Sequence, residues 1–272
     1  MSTRGDLMVV LAPVGAGKST RINQLRAQGM TFQHISCDHL IDRAAKSQGI
    51  DLNRASGEVA RHVVGEGMQA YYARLDESLR DKGEKIVVDY ASGLSTDWVT
   101  ETVRRAHIAG RDVTVEGIYV DPERSLPRTL VRKTVGMDAE AVKVLLADNR
   151  YIQAWLKTYQ AFPQQFEDAV AMAGTGRLFD NNEEPRPTQR LIAEWREASR
   201  RATSVYDAEA YGSFLSLSGM DLPNAKCAVT LRWSQAQGDD WMHGFAVNMN
   251  DAIRPGRKTA PAVSFARPEV AY

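Results

Sequence analysis

The segment APVGAGKST at residues 12–20 follows the apolar run LMVVL at residues 7–11 and precedes a stretch that is compatible with a helix. A buried strand, a glycine-rich turn and a helix in this order are the context of a phosphate-binding loop, or P-loop. Glycines let successive backbone N–H groups converge on an anion, and the helix directs the positive end of its dipole at the phosphates. A glycine-rich turn without a ligand is the alternative, but it does not account for Lys18 and Ser19. The segment therefore predicts a P-loop.

Each residue of the predicted P-loop takes a role from the chemistry of phosphate binding. Lys18 is expected to reach the β- and γ-phosphate oxygens, and Ser19 is expected to hold Mg²⁺. Ala12 stands at the first glycine of the plain GxxxxGK[ST] pattern and adds only one methyl group. The expected ligands are ATP or GTP together with Mg²⁺. The predicted nucleotide-binding residues of the loop are Pro13, Val14, Gly15, Ala16, Gly17, Lys18, Ser19 and Thr20.

Composition and charge exclude several classes of protein. The chain has 272 residues, of which 43% are hydrophobic, and this is enough for one α/β domain with an appendage. Lys and Arg total 34, as do Asp and Glu, so no net charge draws the chain to nucleic acid or to an anionic membrane. Two cysteines cannot form a disulfide framework, and neither a secretory signal nor an apolar stretch of about 20 residues is present. A cytoplasmic protein that does not cross a membrane is expected.

Apolar, β-branched runs alternate with helical patterns as far as about residue 200, which predicts a parallel sheet. The expected strands are 7–11, 31–36, 85–89, 113–120 and 177–179. The expected helices are 18–28, 58–82, 96–109, one that begins near residue 122, 138–163 and 188–201. The predicted fold class is a three-layer α/β P-loop NTPase fold of the kinase type, with a helical lid at about residues 122–163.

Residues 204–272 differ from the predicted kinase domain at residues 1–203 in their pattern of apolar and turn-forming residues. Short apolar runs at 214–217, 228–233, 244–247 and 262–265 alternate there with Gly, Pro, Asn and Asp. This pattern is typical of short strands and turns. The C-terminal appendage could be a small β structure, an arm packed on the kinase body or a partly ordered tail. No chemical motif lies in this segment.

Two carboxylates follow predicted strands at the edge of the sheet where ligands bind in open α/β folds. Asp38 comes just after the second strand and is the candidate base for an acceptor hydroxyl, with a helix N-cap as the alternative. Asp89 ends the third strand, where a Walker B acid would orient the Mg²⁺ shell, but the residue could instead cap a turn. Three neighbouring side chains are candidates for contact with the acceptor, namely His39, Tyr90 and Ser92.

A basic ridge begins near Pro122 in the predicted lid. Arg128 and Arg132 are about one helical turn apart, so both could face the γ-phosphate and stabilise the charge that develops during transfer. Arg124 and Lys133 lie on the same side. A solvated basic helix face is the alternative. The histidines and cysteines have no zinc-ligand spacing, and no Ser/His/Asp hydrolase arrangement can be built.

Five segments occur in the order seen in zeta-toxin-like and polynucleotide-kinase-like P-loop kinases, namely APVGAGKST, ISCDHLID, VVDYASG, IYVDPERSLPRTLVRK and LFDNN. The chain resembles this group over about residues 6–200. In zeta-like kinases the aspartate after the second strand is the base toward a sugar hydroxyl of a UDP-N-acetylamino sugar, and lid arginines hold the γ-phosphate. The resemblance therefore implies these roles for Asp38, Arg128 and Arg132. Asn181 is similar to an asparagine that borders the nucleotide base.

The predicted activity is transfer of the γ-phosphate of ATP or GTP to a hydroxyl of a small acceptor such as a nucleotide sugar. Related phage kinases phosphorylate a 5′-hydroxyl of nucleic acid or a hydroxymethyl group on a DNA base, so a nucleic-acid acceptor is an alternative. A nucleotide-binding regulator without transfer chemistry is a third interpretation. The resemblance also implies an inhibitory, antitoxin-like protein that covers the ATP site.

Overall fold

Nine segments of the chain are described by the computed structural model: residues 6–52, 57–81, 83–93, 95–122, 125, 129, 149–182, 189–196 and 201–219. The strands are β1 Leu7–Ala12, β2 Gln33–Ser36, β3 Ile86–Ala91, β4 Val113–Tyr119, β5 Thr175–Asp180, β6 Arg190–Arg196 and β7 Ser204–Val205. The α-helices are α1 Lys18–Ala27, α2 Cys37–Ser47, α3 Gly57–Arg80, α4 Thr96–Ile108, α5 Asn149–Ala173 and α6 Ala208–Ser216. No helix in these segments is both long and apolar enough to span a membrane.

The strands form one sheet in the order β2-β3-β1-β4-β5-β6-β7. The first five are parallel, and β6 and β7 are antiparallel to their neighbours. β1 is central and pairs with both β3 and β4, and its sequence is apolar throughout because both of its faces are covered. The chain passes from β1 out to β2 and β3 and then returns to β4. This reversal creates a crevice beyond the carboxyl end of β1, where ligands bind in open α/β sheets.

The chain divides into two units, residues 1–120 with 158–218 and residues 121–157 with 219–272. The first unit contains the whole sheet. In the second unit, the Thr129 hydroxyl donates to the Ser125 carbonyl at 2.9 Å, and the two residues are four apart in a helix. The segment 204–218 lies in the first unit together with β6, although the sequence places it beyond the predicted boundary at residue 203. The boundary itself stays a prediction.

The α/β fold class is confirmed, but three sequence-based element assignments are wrong. Residues 190–196 form the antiparallel strand β6 instead of a helix, because pairing with β5 buries Ile192, Ala193 and Trp195. Helix α5 does not stop at Pro163 but continues to Ala173, since Phe166 and Val170 extend its buried face. The run 214–217 is not a strand, because its first residues complete α6. The runs 228–233, 244–247 and 262–265 lie outside the described residues.

An aromatic cluster joins α5, β6 and α6. The Phe214 ring meets the Phe162 ring edge to face at 5.3 Å between centroids, and the Trp195 ring meets Phe166 in the same way at 5.0 Å. All four rings are fully buried. Aromatic pairs of this kind each contribute about 0.5–1.5 kcal/mol beyond the burial of their area, and the cluster therefore fixes α6 against the outer half of the sheet.

Candidate active site

The P-loop connects the end of β1 to the start of α1. Gly15 and Gly17 have φ angles of +81° and +104°, which L residues with side chains rarely adopt. Gly17 is the N-cap of α1 and supplies no side chain to the first N–H groups of the helix, and the first turn contains no acidic residue. These N–H groups, together with the helix dipole, are therefore able to bind an anion.

Asn181 lies against the P-loop just after the end of β5. Its Nδ2 atom donates to the carbonyl oxygen of Ala16 at 2.8 Å, and the residue is 2% exposed. A Cβ atom at Gly17 would lie 2.2 Å from the same Nδ2 atom. Glycine is therefore required at position 17 both by its backbone angle and by the closeness of Asn181.

A buried ion pair holds α1 against the sheet. Arg21 lies three residues after Lys18, and its guanidinium donates to both carboxylate oxygens of Glu116 on β4, at 2.8 and 2.9 Å. The Arg21 guanidinium carbon lies 4.4 Å from the centroid of the Phe179 ring. Glu116 is fully buried, and Arg177 of the neighbouring strand β5 lies 3.8 Å from it. Two directed hydrogen bonds fix the rotation of the helix that carries the P-loop lysine.

Asp38 lies beside the P-loop lysine. The Asp38 Oδ2 atom is 3.5 Å from Lys18 Nζ, and the Asp38 side chain is 46% exposed whereas the Lys18 side chain is 12% exposed. The N-cap of α2 is Ser36, whose side chain accepts from the backbone N–H of His39. The alternative role of Asp38 as a helix cap is thus filled by Ser36. The carboxylate is left facing the lysine and the solvent.

Helix α2, which begins beside Asp38, packs on α3 at a point of very close approach. A Cβ atom at Gly67 of α3 would lie 2.6 Å from the backbone Cα of Ile41. The neighbouring Cys37 thiol is buried and lies 3.2 Å from the Met68 sulfur, and burial raises the pKa of Cys37 to about 12. Cys37 is therefore a packing residue that stays protonated, and the position of Asp38 depends on how closely α2 and α3 approach.

Asp89 lies within β3 and is buried. Its Oδ1 atom is 2.8 Å from Nε2 of His34 on the adjacent strand β2. The other two predicted residues of this segment have side chains that are paired within the protein. Tyr90 is fully buried with its hydroxyl 2.5 Å from Thr102 Oγ1, and the Ser92 hydroxyl donates to the Thr158 carbonyl at 2.5 Å. The structure therefore places Asp89 inside β3, two residues before the end of the strand and not at its end as expected, and it gives Tyr90 no exposed surface for an acceptor.

The chemistry of Ser19 and Asp89 fits a magnesium ion that is carried by a nucleotide. Ser19 is exposed at the start of α1 and offers a hydroxyl oxygen, and Asp89 offers a carboxylate. Within the described segments, no three His, Cys, Asp or Glu side chains are grouped as a metal cage. Mg²⁺ commonly keeps several waters and takes only one or two protein oxygens besides phosphate, so these hard oxygen donors are chemically suited to it.

Four predicted lid residues, Arg124, Arg128, Arg132 and Lys133, lie outside the described residues. His39 is exposed next to Asp38, and its contact with an acceptor stays a prediction. Sequence reasoning missed His34, Arg21 and Glu116. The position of Arg21 one turn after Lys18 is a signal that it faces the same ligand or the sheet, but no local pattern predicts its partner 95 residues away.

The zeta toxin family model matches residues 3–183 of the chain. A structure from the PezAT chromosomal toxin–antitoxin system of Streptococcus pneumoniae is similar at 16% identity, with a TM-score of 0.51 over 92% of this chain and 86% of that chain. The native complex of AvrRxo1-ORF1 and ORF2 gives 19% identity and a TM-score of 0.54 over 92% and 75%. The same complex with ATP gives 18% identity and a TM-score of 0.50 over 79% and 64%. Curated proteins yielded no match. At these identities the structures show a shared fold.

Proposed function

The chain belongs to the zeta toxin family, and from this premise we propose that it is a kinase that phosphorylates a hydroxyl of a small acceptor such as a nucleotide sugar. Its P-loop kinase-like fold and its family support nucleotide binding. The observation that carries the proposal is the 3.5 Å distance between Lys18 Nζ and Asp38 Oδ2. At this distance the proposed phosphate-binding amine of Lys18 and the solvent-facing carboxylate of Asp38 are neighbours. Transfer from a nucleotide to an acceptor requires that the groups that bind the two reactants lie close together.

In the proposed reaction, Asp38 accepts the proton of the acceptor hydroxyl as its oxygen attacks the γ-phosphorus. The bond from the γ-phosphorus to the β–γ bridging oxygen breaks, and the nucleoside diphosphate leaves. Lys18 and the N–H groups at the start of α1 hold the phosphates and balance the charge that moves onto the diphosphate. Ser19 and Asp89 would hold Mg²⁺, which would supply further charge neutralisation. Arg128 and Arg132 are proposed to contact the γ-phosphate.

A small acceptor is favoured over nucleic acid because the chain has no net charge. Helix α2 also carries both signs of charge, since Asp38 and Asp42 are followed by Arg43 in the sequence. A polyanionic strand that approached Asp38 would need a positive channel. His39 is proposed to contact the acceptor, since it is exposed on the first turn of α2 beside Asp38. Ser92 is proposed only to shape the acceptor side, because its hydroxyl is paired with Thr158.

The test is a transfer assay with γ-labelled ATP or GTP and a panel of UDP-sugars, nucleosides, and hydroxyl-ended or hydroxymethylated DNA. Asp38→Asn is the matched control. We expect label in a UDP-sugar with the wild-type chain only. Label in DNA alone, with activity that falls steeply as salt increases, would replace the small-molecule acceptor with nucleic acid. Tight ATP binding without label in any acceptor would identify a nucleotide-binding regulator.

The proposal extends to an inhibitory protein that covers the ATP site. Support comes from the similar structures, which belong to a toxin–antitoxin system and to a two-protein complex. If an active kinase needs such control, expression of the wild-type chain alone should arrest the growth of a bacterial host, whereas the Asp38→Asn chain should not. Equal growth with both chains would contradict the need for an inhibitor.

A further inference from the structure

Asn181 connects the end of β5 to the backbone of the P-loop. We propose that Asn181 is a positioning residue, which sets the affinity for nucleotide phosphates by fixing the Ala16–Gly17 peptide and not by touching the base. The inference rests on the proposed function, because it assumes that the P-loop binds a triphosphate.

The contact is anchored at both ends. The backbone N–H of Asn181 donates to the Tyr119 carbonyl at the end of β4, at 2.8 Å. Its side-chain Nδ2 donates to the Ala16 carbonyl, also at 2.8 Å, and the whole residue is buried. Ala16 itself is fully buried. The sheet thus holds the asparagine, and the asparagine holds one carbonyl of the loop.

Holding this carbonyl also fixes the orientation of an N–H group. A peptide bond is planar and trans, so the C=O of Ala16 and the N–H of Gly17 point in opposite directions. Because the carbonyl faces Asn181, the N–H of Gly17 points away from Asn181, to the side where the proposed phosphates lie. Gly15 and Gly17, on either side of Ala16, tolerate many backbone angles. Without the hydrogen bond, this peptide would be able to rotate, and the N–H of Gly17 would no longer point toward the proposed phosphates.

The loop lies so close to Asn181 that position 17 has no room for a side chain. A methyl carbon added at Gly17 would lie 2.2 Å from Nδ2, far below van der Waals contact, and would displace the amide from the loop. The hydrogen bond from Asn181 to Ala16 therefore depends on glycine at position 17.

Burial separates the side chain of Asn181 from a base. Its Nδ2 atom donates to Ala16, its Oδ1 atom is buried without a hydrogen-bond partner among the described residues, and the whole residue is 2% exposed. Direct contact with a base would therefore require the amide to move out of this buried position. The resemblance-based expectation that this asparagine borders the base is therefore refined: its effect on the nucleotide passes through the loop.

The experiment measures binding of inorganic tripolyphosphate, ATP and GTP, each with Mg²⁺, by titration calorimetry. The variants are Asn181→Ala and the milder Asn181→Ser, and Gln164→Ala is the control because it removes an exposed amide of α5. We expect Asn181→Ala to weaken all three ligands by a similar factor of about tenfold or more, Asn181→Ser to weaken them less, and the control to bind like the wild type. Thermal melting of each variant identifies any chain that fails to fold, in which case Asn181→Ser carries the comparison.

Tripolyphosphate separates the two roles because it has phosphates and no base. Weaker binding of ATP or GTP with unchanged binding of tripolyphosphate would show contact with the base and overturn the inference. Unchanged affinities for all three ligands would overturn it as well, while the proposed function would stand. A wild-type chain that binds none of the three would overturn the proposed function and this inference with it.

Discussion

The two sides of Lys18 are built differently. On the nucleotide side, the P-loop and α1 are held by buried groups, the Asn181 amide and the Arg21–Glu116 pair. On the acceptor side, Asp38 is 46% exposed and His39 is exposed. The proposed phosphate site is thus held by buried groups of the protein, whereas the proposed acceptor side presents a few polar groups to solvent.

This difference follows from what each side has to recognise. A triphosphate offers the same oxygens and charge to every kinase, so a rigid arrangement of N–H groups gains affinity at little cost in entropy. An acceptor must enter, be selected and leave, and surface loops and exposed turns serve such tasks. The contrast predicts that changes on the acceptor side abolish chemistry without loss of stability, and that changes on the nucleotide side affect binding or stability.

The largest effect is expected for Asp38→Asn, which keeps the shape of the side chain but removes the proposed base. Loss of general-base catalysis lowers the rate by a factor of about 10² to 10⁴, while ATP affinity should stay close to that of the wild type. Lys18→Ala should weaken both binding and transfer. Single-turnover transfer with labelled ATP and calorimetric ATP binding measure the two quantities. Full transfer activity in Asp38→Asn would remove this residue from the mechanism and erase the contrast between the sides.

Glu116→Gln should cost the most stability. Removal of one partner from a buried ion pair destabilises a protein by about 3–5 kcal/mol, because Arg21 would keep its buried charge without the carboxylate. Urea unfolding should give a lower midpoint at an unchanged slope. Replacement of both partners, Arg21→Met with Glu116→Leu, should be milder than Glu116→Gln alone. A stability equal to the wild type in Glu116→Gln would mean that the nucleotide side does not depend on this pair.

His34→Ala should raise the Mg²⁺ concentration that gives half-maximal transfer by about 10- to 100-fold. This is the usual effect of removing a partner that orients a metal-binding group. The His34 ring lies 2.8 Å from Asp89, and His34→Gln, which retains a donor, should recover part of the loss. The Mg²⁺ concentration for half-maximal transfer and Mn²⁺ binding in the presence of ATP are the measurements. His62→Ala is a suitable control, since its side chain is 68% exposed. The same Mg²⁺ response in His34→Ala and in the control would exclude a role for His34.

The smallest effect is expected for Glu101→Gln on α4, a residue that is not part of the proposed site. Hydrogen bonds from Arg104 and then Arg105 lower the pKa of Glu101 from 4.5 to about 2. A carboxylate whose folded pKa is depressed stabilises the protein above its unfolded pKa and loses that contribution as the pH falls through the folded value. The contribution should therefore decline between pH 4.5 and 2. Solvent screening limits it to about 1 kcal/mol at most, and unfolding free energies of variant and wild type at pH 7 and pH 3 measure it.

The sequence predicts the nucleotide side well because its signals are local. The P-loop, the buried strand before it and the helix after it are contiguous, so β1 and α1 are confirmed within one residue at their ends. The strand β6 is missed because the spacing of Leu191, Ile192 and Trp195 suits a helix as well as a strand. Only its pairing with β5 decides between the two, and such pairing is not written in any local pattern.

For the same reason, the sequence does not predict which residues contact the site residues. Nothing near Asp89 indicates His34, and nothing near the P-loop indicates Asn181 as a donor to Ala16 over a separation of 165 residues. Asp38 was chosen as a candidate base because it follows a strand. That Ser36, and not Asp38, is the N-cap of α2 depends on the backbone angles at the start of the helix, which the sequence does not show. Long-range contacts depend on the fold, and they cannot be predicted from local patterns in a single sequence.

The absence of a side chain at Gly67 lets α3 touch the backbone of α2 at Ile41. The position of Asp38, the proposed proton acceptor, therefore depends on a residue of α3 that is not part of the proposed site. A methyl group added at Gly67 is expected to push α2 away from α3 and to move Asp38 with it, without a change in the P-loop. Substitution at Gly67 would then alter the space for the proposed acceptor and leave every proposed reactive group in place.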